Sequence, residues 1–242
     1  MDNYVDALKM DKEQSESYYK FSLRTKSEQQ KRLEDLLCAL SLRPSTIADV
    51  ACGGGGASCH LSVLYPHASY TLVDMNEEAI VLARESTKHL QATCLVGDIY
   101  DLPLETDGYD LVVCWQTLSW LTKPKAALTE LVRICKPGGR VYASALFNVR
   151  QDVDIYSTVK DHTRTSTSEG LSYVYNTYSV FSVRQWVDGL VSGVQVHEFE
   201  ISTDLEYGGR GLGTYTARLE NGKRLQISGG MLMNWGILEL QK

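Results

Sequence analysis

The chain has 242 residues, 43% hydrophobic and 22% charged, the make-up of an ordinary globular protein, and its length suits a single domain spanning residues 1–242 over one core. Its formal charge of -6 and pI near 5.4 exclude a broad phosphate-tracking surface of the kind non-specific nucleic-acid binding requires, which favours a small-molecule partner. No stretch approaches the roughly 20 apolar residues of a membrane span, and Asp2, Asp6, Asp11, Glu13 and Glu16 interrupt the first 30 residues where a signal segment would lie.

A cytoplasmic location is therefore expected. The six cysteines form no Cys-x-x-Cys pair and fall mostly in apolar runs, as buried thiols of a reducing compartment do.

The first feature along the chain is the aromatic cluster Glu16-Ser17-Tyr18-Tyr19-Lys20-Phe21-Ser22, which suits a lid built from residues 1–26 with Tyr18 and Tyr19 as its contacts. Leu33, Leu36, Leu37 and Leu40 then recur at helical spacing, so residues 27–40 read as an amphipathic helix stopped ahead of Pro44. Residues 46–51 are short, apolar and partly β-branched, and run straight into Cys52-Gly53-Gly54-Gly55-Gly56, a strand feeding a glycine turn. Helical spacing over 57–65 and a second strand at 69–74, ending on Asp74, complete the unit.

The alternation continues with a helix at 77–88 and a strand at 92–96, closed by Gly97-Asp98. A strand at 109–114 then exits into Trp115 and Gln116, and a helix at 125–135, the turn Lys136-Pro137-Gly138-Gly139 and a fifth strand at 140–147 follow. Such alternation predicts an α/β fold with a mostly parallel sheet covered by helices on both faces. Ligands bind such sheets beyond the carboxyl ends of the strands, where the glycine loop, Asp74, Asp98 and Trp115 all fall.

Glycines at a strand-to-helix turn let a ligand approach the main chain closely. Asp74, 19 residues beyond Gly55, is spaced to accept both ribose hydroxyls of a nucleoside. Asp98 is placed to receive a purine amine, with Ile99 against the ring. Read this far, the pattern also suits a dinucleotide-dependent oxidoreductase or a non-catalytic nucleoside-binding regulator.

The ordered set of motifs resembles the class I, Rossmann-like S-adenosylmethionine-dependent methyltransferases. Asp49-Val50-Ala51-Cys52-Gly53-Gly54-Gly55 is similar to their first motif, with Ala51 where that motif has glycine, a small change expected to leave the turn intact. Leu72-Val73-Asp74-Met75, Val96-Gly97-Asp98-Ile99, residues 109–115 and the Lys136-Pro137-Gly138-Gly139 turn match the motifs that follow. The resemblance covers residues 45–147 and implies seven strands with a final antiparallel pair, S-adenosyl-L-methionine as donor and S-adenosyl-L-homocysteine as product. It further implies that Ala51, Cys52, Gly53 and Gly55 flank the methionine part, Asp74 and Met75 the ribose, Asp98 and Ile99 the adenine, and Cys114 and Trp115 the sulfonium, with Tyr19 above the donor. Methyl transfer then goes to oxygen or nitrogen of a small polar metabolite, such as a sugar or natural-product intermediate. The strand-four exit lacks the Asn-Pro-Pro-Tyr type sequence of many amide and base methylating enzymes.

Acceptor residues are expected where the chain departs from this common core. Residues 148–182 are polar and aromatic, and with Tyr18, Gln116 and Trp120 they supply Arg150 and Tyr175 as candidate contacts. Among five histidines without metal-ligand spacing, His162 is the one placed to act as a base, and no metal is expected. His60 and His89 are read on helices, His67 near a turn and His197 on a late strand. A helix is read at 182–190 and a strand at 195–201.

Within 208–230, the Asn221-Gly222 step marks a hairpin inserted before a last strand at 235–240, with Arg210 available for an anionic substituent. That hairpin is expected either to join the Tyr173 strand in a small antiparallel cap or to pair with a second copy in a homodimer.

Overall fold

The alternation of strand and helix read from the sequence is what the backbone adopts. A computed structural model describes residues 12–40, 42–161, 171–205, 215–228, 231–233 and 235–242. Two helices, α1 (Lys12–Arg24) and α2 (Glu28–Ala39), lead into β1 (Thr46–Val50). The core follows as α3 (Gly56–Leu64), β2 (Ser69–Asp74), α4 (Glu77–Ser86), β3 (Ala92–Val96), β4 (Tyr109–Cys114), a 3-10 turn at Leu118–Trp120, α5 (Pro124–Ile134) and β5 (Cys135–Asn148). Beyond it lie β6 (Thr158–Asp161), β7 (Leu171–Val174), β8 (Tyr178–Ser179), α6 (Val180–Trp186) and β9 (Gly193–Phe199), then β10 (Tyr215–Arg218), β11 (Arg224–Ser228), β12 (Met231–Met233) and β13 (Trp235–Gln241).

The main sheet runs β3-β2-β1-β4-β5-β13-β9, with β8 added at the end of β5. Strands β1 to β5 pair in parallel, and β13 pairs antiparallel with both β5 and β9. Both faces are dry because successive side chains alternate. Ala48, Val50, Val112 and Cys114 enter the core beneath α5, while Ile47, Leu111 and Val113 enter the one shared with α2 and α3. The helices start on local signals: Ser27 Oγ accepts from Gln30 N at 3.1 Å, Asn76 Oδ1 from Glu78 N at 3.0 Å, and Pro124 opens α5.

The appended parts differ from expectation in three ways. The Tyr173 strand, β7, pairs antiparallel with β6, whereas the late hairpin β10–β11 pairs with β12 in a sheet of its own, so the two do not join in one cap. Strand β12 sits between the hairpin and β13 in sequence and is the nearer partner. Second, α6 begins at Val180, not 182, because Ser179 caps it: its Oγ accepts from Ser182 N at 3.1 Å, and the Asp154 carboxylate accepts from Ser179 N at 2.6 Å. Third, His89 lies past the end of α4 and Cys38 is exposed, while Cys52, Cys94, Cys114 and Cys135 are buried. No helix among the described residues is long and apolar enough to cross a membrane, and none of their His, Cys, Asp and Glu side chains form a metal-holding group.

Candidate functional site

The turn after β1 is built on left-handed backbone at Ala51 (φ 57°), Gly53 (φ 53°) and Gly55 (φ 84°), the last capping α3. Glycine takes such angles freely, whereas a side-chain-bearing residue is strained there. Ala51 therefore keeps the turn but at a conformational cost. Cys52 N donates to Val73 O at 3.1 Å, and Gly53 N donates to Asp74 Oδ2 at 2.8 Å. Asn76 N donates to Asp74 Oδ1 at 2.8 Å, so both oxygens of this half-buried carboxylate are aimed by main-chain amides. Burial raises its pKa against those bonds.

Asp49 is enclosed beneath the loop. Its Oδ2 accepts from Ser58 N at 3.1 Å and Ser58 Oγ at 2.7 Å, and its Oδ1 is buried with no protein partner. Burial pushes its pKa up to about 6, against the Ser58 bonds and with a smaller contribution from the Asp74 charge. Asp49 thus ties β1 to the first turn of α3, which holds the loop in shape.

Helix α1 lies directly on the glycine loop. A Cβ placed on Gly53 would meet Tyr19 Cε1 at 2.8 Å, and one on Gly54 would meet Tyr19 Cβ at 3.0 Å. His60 Nε2 lies 2.8 Å from Ser22 O and anchors the far end of the helix. Tyr18, the neighbour of Tyr19, donates its hydroxyl to Gln116 Oε1 across the site.

At the other strand ends, Asp98 is exposed, accepts from Tyr100 N at 2.9 Å, and precedes a buried Ile99. Met75 is half-buried beside Asp74. Cys114 is fully enclosed in the core beneath α5, where burial pushes its thiol up to about 12, so its side chain faces away from where the sulfonium was expected. Alternation along the strand sends Trp115 to the opposite face, half-buried against the α2 side, with its Nε1 buried and unpartnered in the protein.

Gln116 stands at φ 54° and donates its backbone N–H to Ser144 Oγ at 2.7 Å. Trp120 packs on Tyr175 at 4.4 Å and Tyr173 at 5.7 Å between ring centroids, joining the 3-10 turn to the insertion. Arg150 sits past β5 with its guanidinium 3.9 Å from Glu198. His162 and Arg210 lie outside the described residues.

The structure thus gathers the glycine loop, Tyr19 and Asp74 at one place, and Tyr18 with Gln116 beside it. Sequence reasoning missed Ser58, Asn76 and Ser144, which hold Asp49, start α4 and fix Gln116 respectively; only Asn76, a cap residue directly ahead of Glu77-Glu78, carried a readable signal. Asp110 and the Lys136 turn, which matched the family's later motifs in the sequence, are remote from this group. They lie at the opposite end of the sheet: Lys136 Nζ is 2.8 Å from Asp110 Oδ1, and Asp110 Oδ2 accepts from Ser45 and Thr46.

The set fits an adenosyl donor. It offers a glycine turn of left-handed backbone at the end of β1, a carboxylate oriented beside it by a main-chain amide, and a buried isoleucine, Ile99, just beyond β3.

A family described as "Methyltransferase domain" matches residues 48–143. Among curated proteins, the malonyl-[acyl-carrier protein] O-methyltransferase of Geobacter sulfurreducens is 34% identical over 117 residues, 48% of this chain and 43% of that protein. The ubiquinone biosynthesis O-methyltransferase of Xanthomonas oryzae pv. oryzae is 32% identical over 120 residues, 48% of each chain. The chain thus spans less than half the length of these relatives. Among solved structures, the YcgJ protein from Bacillus subtilis superposes with a TM-score of 0.60 at 13% identity, covering 87% of this chain and 97% of that one. A SAM-dependent methyltransferase from Methanosarcina mazei gives 0.53 at 15%, covering 81% and 92%. At such identities these likenesses are of fold.

Proposed function

We propose that this chain, whose residues 48–143 match a methyltransferase domain, transfers a methyl group from S-adenosylmethionine to oxygen or nitrogen of a small polar metabolite. The observation that carries the reading is the 2.8 Å bond from Gly53 N to Asp74 Oδ2, which joins the glycine cradle to the carboxylate at the next strand end. A cradle and an acid so joined suit a nucleoside whose ribose hydroxyls donate to the free lone pairs of Asp74. When bound, the donor supplies an activated methyl on a sulfonium.

The protein's task in such a displacement is alignment and exclusion of water. Asp49, through Ser58, keeps the cradle rigid, and Asp74 orients the nucleoside. Gln116 and the Trp120–Tyr175 pair stand beyond the end of β4, where an acceptor would be held by the Gln116 side chain and an aromatic wall. Relatives named as O-methyltransferases support oxygen as the accepting atom. The matched family ends at residue 143, ahead of the segments that would choose the acceptor.

Equilibrium titration of the purified chain with S-adenosylhomocysteine and with NAD tests the donor. Saturable binding of the first alone supports the reading, and preference for NAD sinks it. Release of S-adenosylhomocysteine against a panel of hydroxylated and amino metabolites then separates a transferase from a regulator that only binds.

A further inference from the structure

Tyr18 and Tyr19 are successive residues of α1 and engage the two halves of the site. The Tyr19 ring rests on the bare face of Gly53 and Gly54, the surface a ligand needs for close approach to the loop, and is itself only 9% exposed. Tyr18 reaches instead to Gln116, whose backbone is held at φ 54°. Strain of that kind persists where surrounding contacts enforce it, here the Tyr18 hydroxyl on the side chain and Ser144 Oγ on the amide.

We propose that α1 is a built-in stopper: in the free protein Tyr19 fills the donor's seat on Gly53 and Gly54 while Tyr18 holds Gln116, so that the arriving donor lifts both. Both side chains are carried by one helix, so a donor that lifts α1 off the loop as a unit removes Tyr19 and breaks the Tyr18–Gln116 bond in the same movement. The Gln116 side chain is then released for the acceptor only after the donor is seated, which makes the binding order compulsory. The inference rests on the donor reading above. Donor affinity is lowered by the fraction of molecules whose stopper is in place.

The test is calorimetric titration with S-adenosylhomocysteine of the full chain, Tyr19→Ala and Tyr18→Phe, with amide hydrogen exchange of α1 in the wild type. The stopper predicts that Tyr19→Ala binds about tenfold more tightly, that Tyr18→Phe is also tighter, and that saturating ligand speeds exchange in α1. Weaker binding by both variants, with α1 protected by the ligand, would mean that Tyr19 stacks on the donor and the stopper is wrong, while the donor reading stands. If neither the wild type nor any variant binds, the donor reading falls and the stopper with it. Should Tyr19→Ala fail to fold, Tyr18→Phe, altered at a half-exposed side chain, and the wild-type exchange decide.

Discussion

Lys136 Nζ stands 2.8 Å from Asp110 Oδ1, a pairing that fastens the turn before β5 to the start of β4 at the end of the sheet remote from the glycine loop. Bonds from Lys136, Ser45 and Thr46 outweigh partial burial and hold the Asp110 carboxyl well below the ordinary range.

Asp110→Ala should therefore cost about 2–3 kcal/mol of stability, the scale of lost bonds to a charged acceptor after allowance for partial exposure. S-adenosylhomocysteine affinity should not change. A depressed folded pKa gives stability that is present above about pH 4 and lost as pH falls below it. Urea unfolding at pH 3 and pH 6 checks the sign, and a smaller penalty at pH 6 than at pH 3 would contradict it.

Asp49 runs the other way. Its folded pKa of about 6 lies above the unfolded value near 3.9, so the native state holds the extra proton between them and stability falls as pH rises through that window. The carboxyl carbon resonance of Asp49 should titrate with a midpoint near 6. Asp49→Asn should flatten the stability profile between pH 4 and 6; an unaltered profile would assign the slope to another group.

Ala51→Gly should stabilise the chain by about 1 kcal/mol, because glycine relieves the left-handed strain at φ 57° and the gain exceeds its unfolded-state entropy. A lower urea midpoint for the variant would show that the methyl group contributes packing that matters more.

Asp74→Ala should weaken S-adenosylhomocysteine binding by about 1.5–3 kcal/mol, roughly ten- to a hundredfold. The variant also frees Gly53 N and Asn76 N from their acceptor, so Asp74→Asn, which keeps a side-chain oxygen, should lose less. Equal affinity across all three proteins would remove Asp74 from the site.

The central sheet was legible because its signals are local: apolar, partly β-branched runs, with the glycine loop after β1, Asp74 at the end of β2 and Gly97-Asp98 after β3. Asp74 beside the glycine loop was legible for the same reason, since parallel β1 and β2 must bring their ends together. What could not be read depends on contacts between distant segments. Nothing in residues 16–22 states that Tyr19 will lie on Gly53 or that Tyr18 will reach Gln116. The Tyr173 strand and the late hairpin alternate alike, so their partners were settled by proximity along the chain rather than by pattern. Positive φ at Ala51 was signalled only by the glycine that the resembled motif has at that position, not by the alanine itself.

Strand β13, lying between β5 and β9, has a consequence for biosynthesis. As the nascent chain leaves the ribosome, β5 and β9 are both available before the strand that joins them has been translated. Their hydrogen-bonding edges stay open until residues 235–241 emerge, so the right-hand half of the sheet closes last, and chaperone protection in that interval would matter most for β5 and β9.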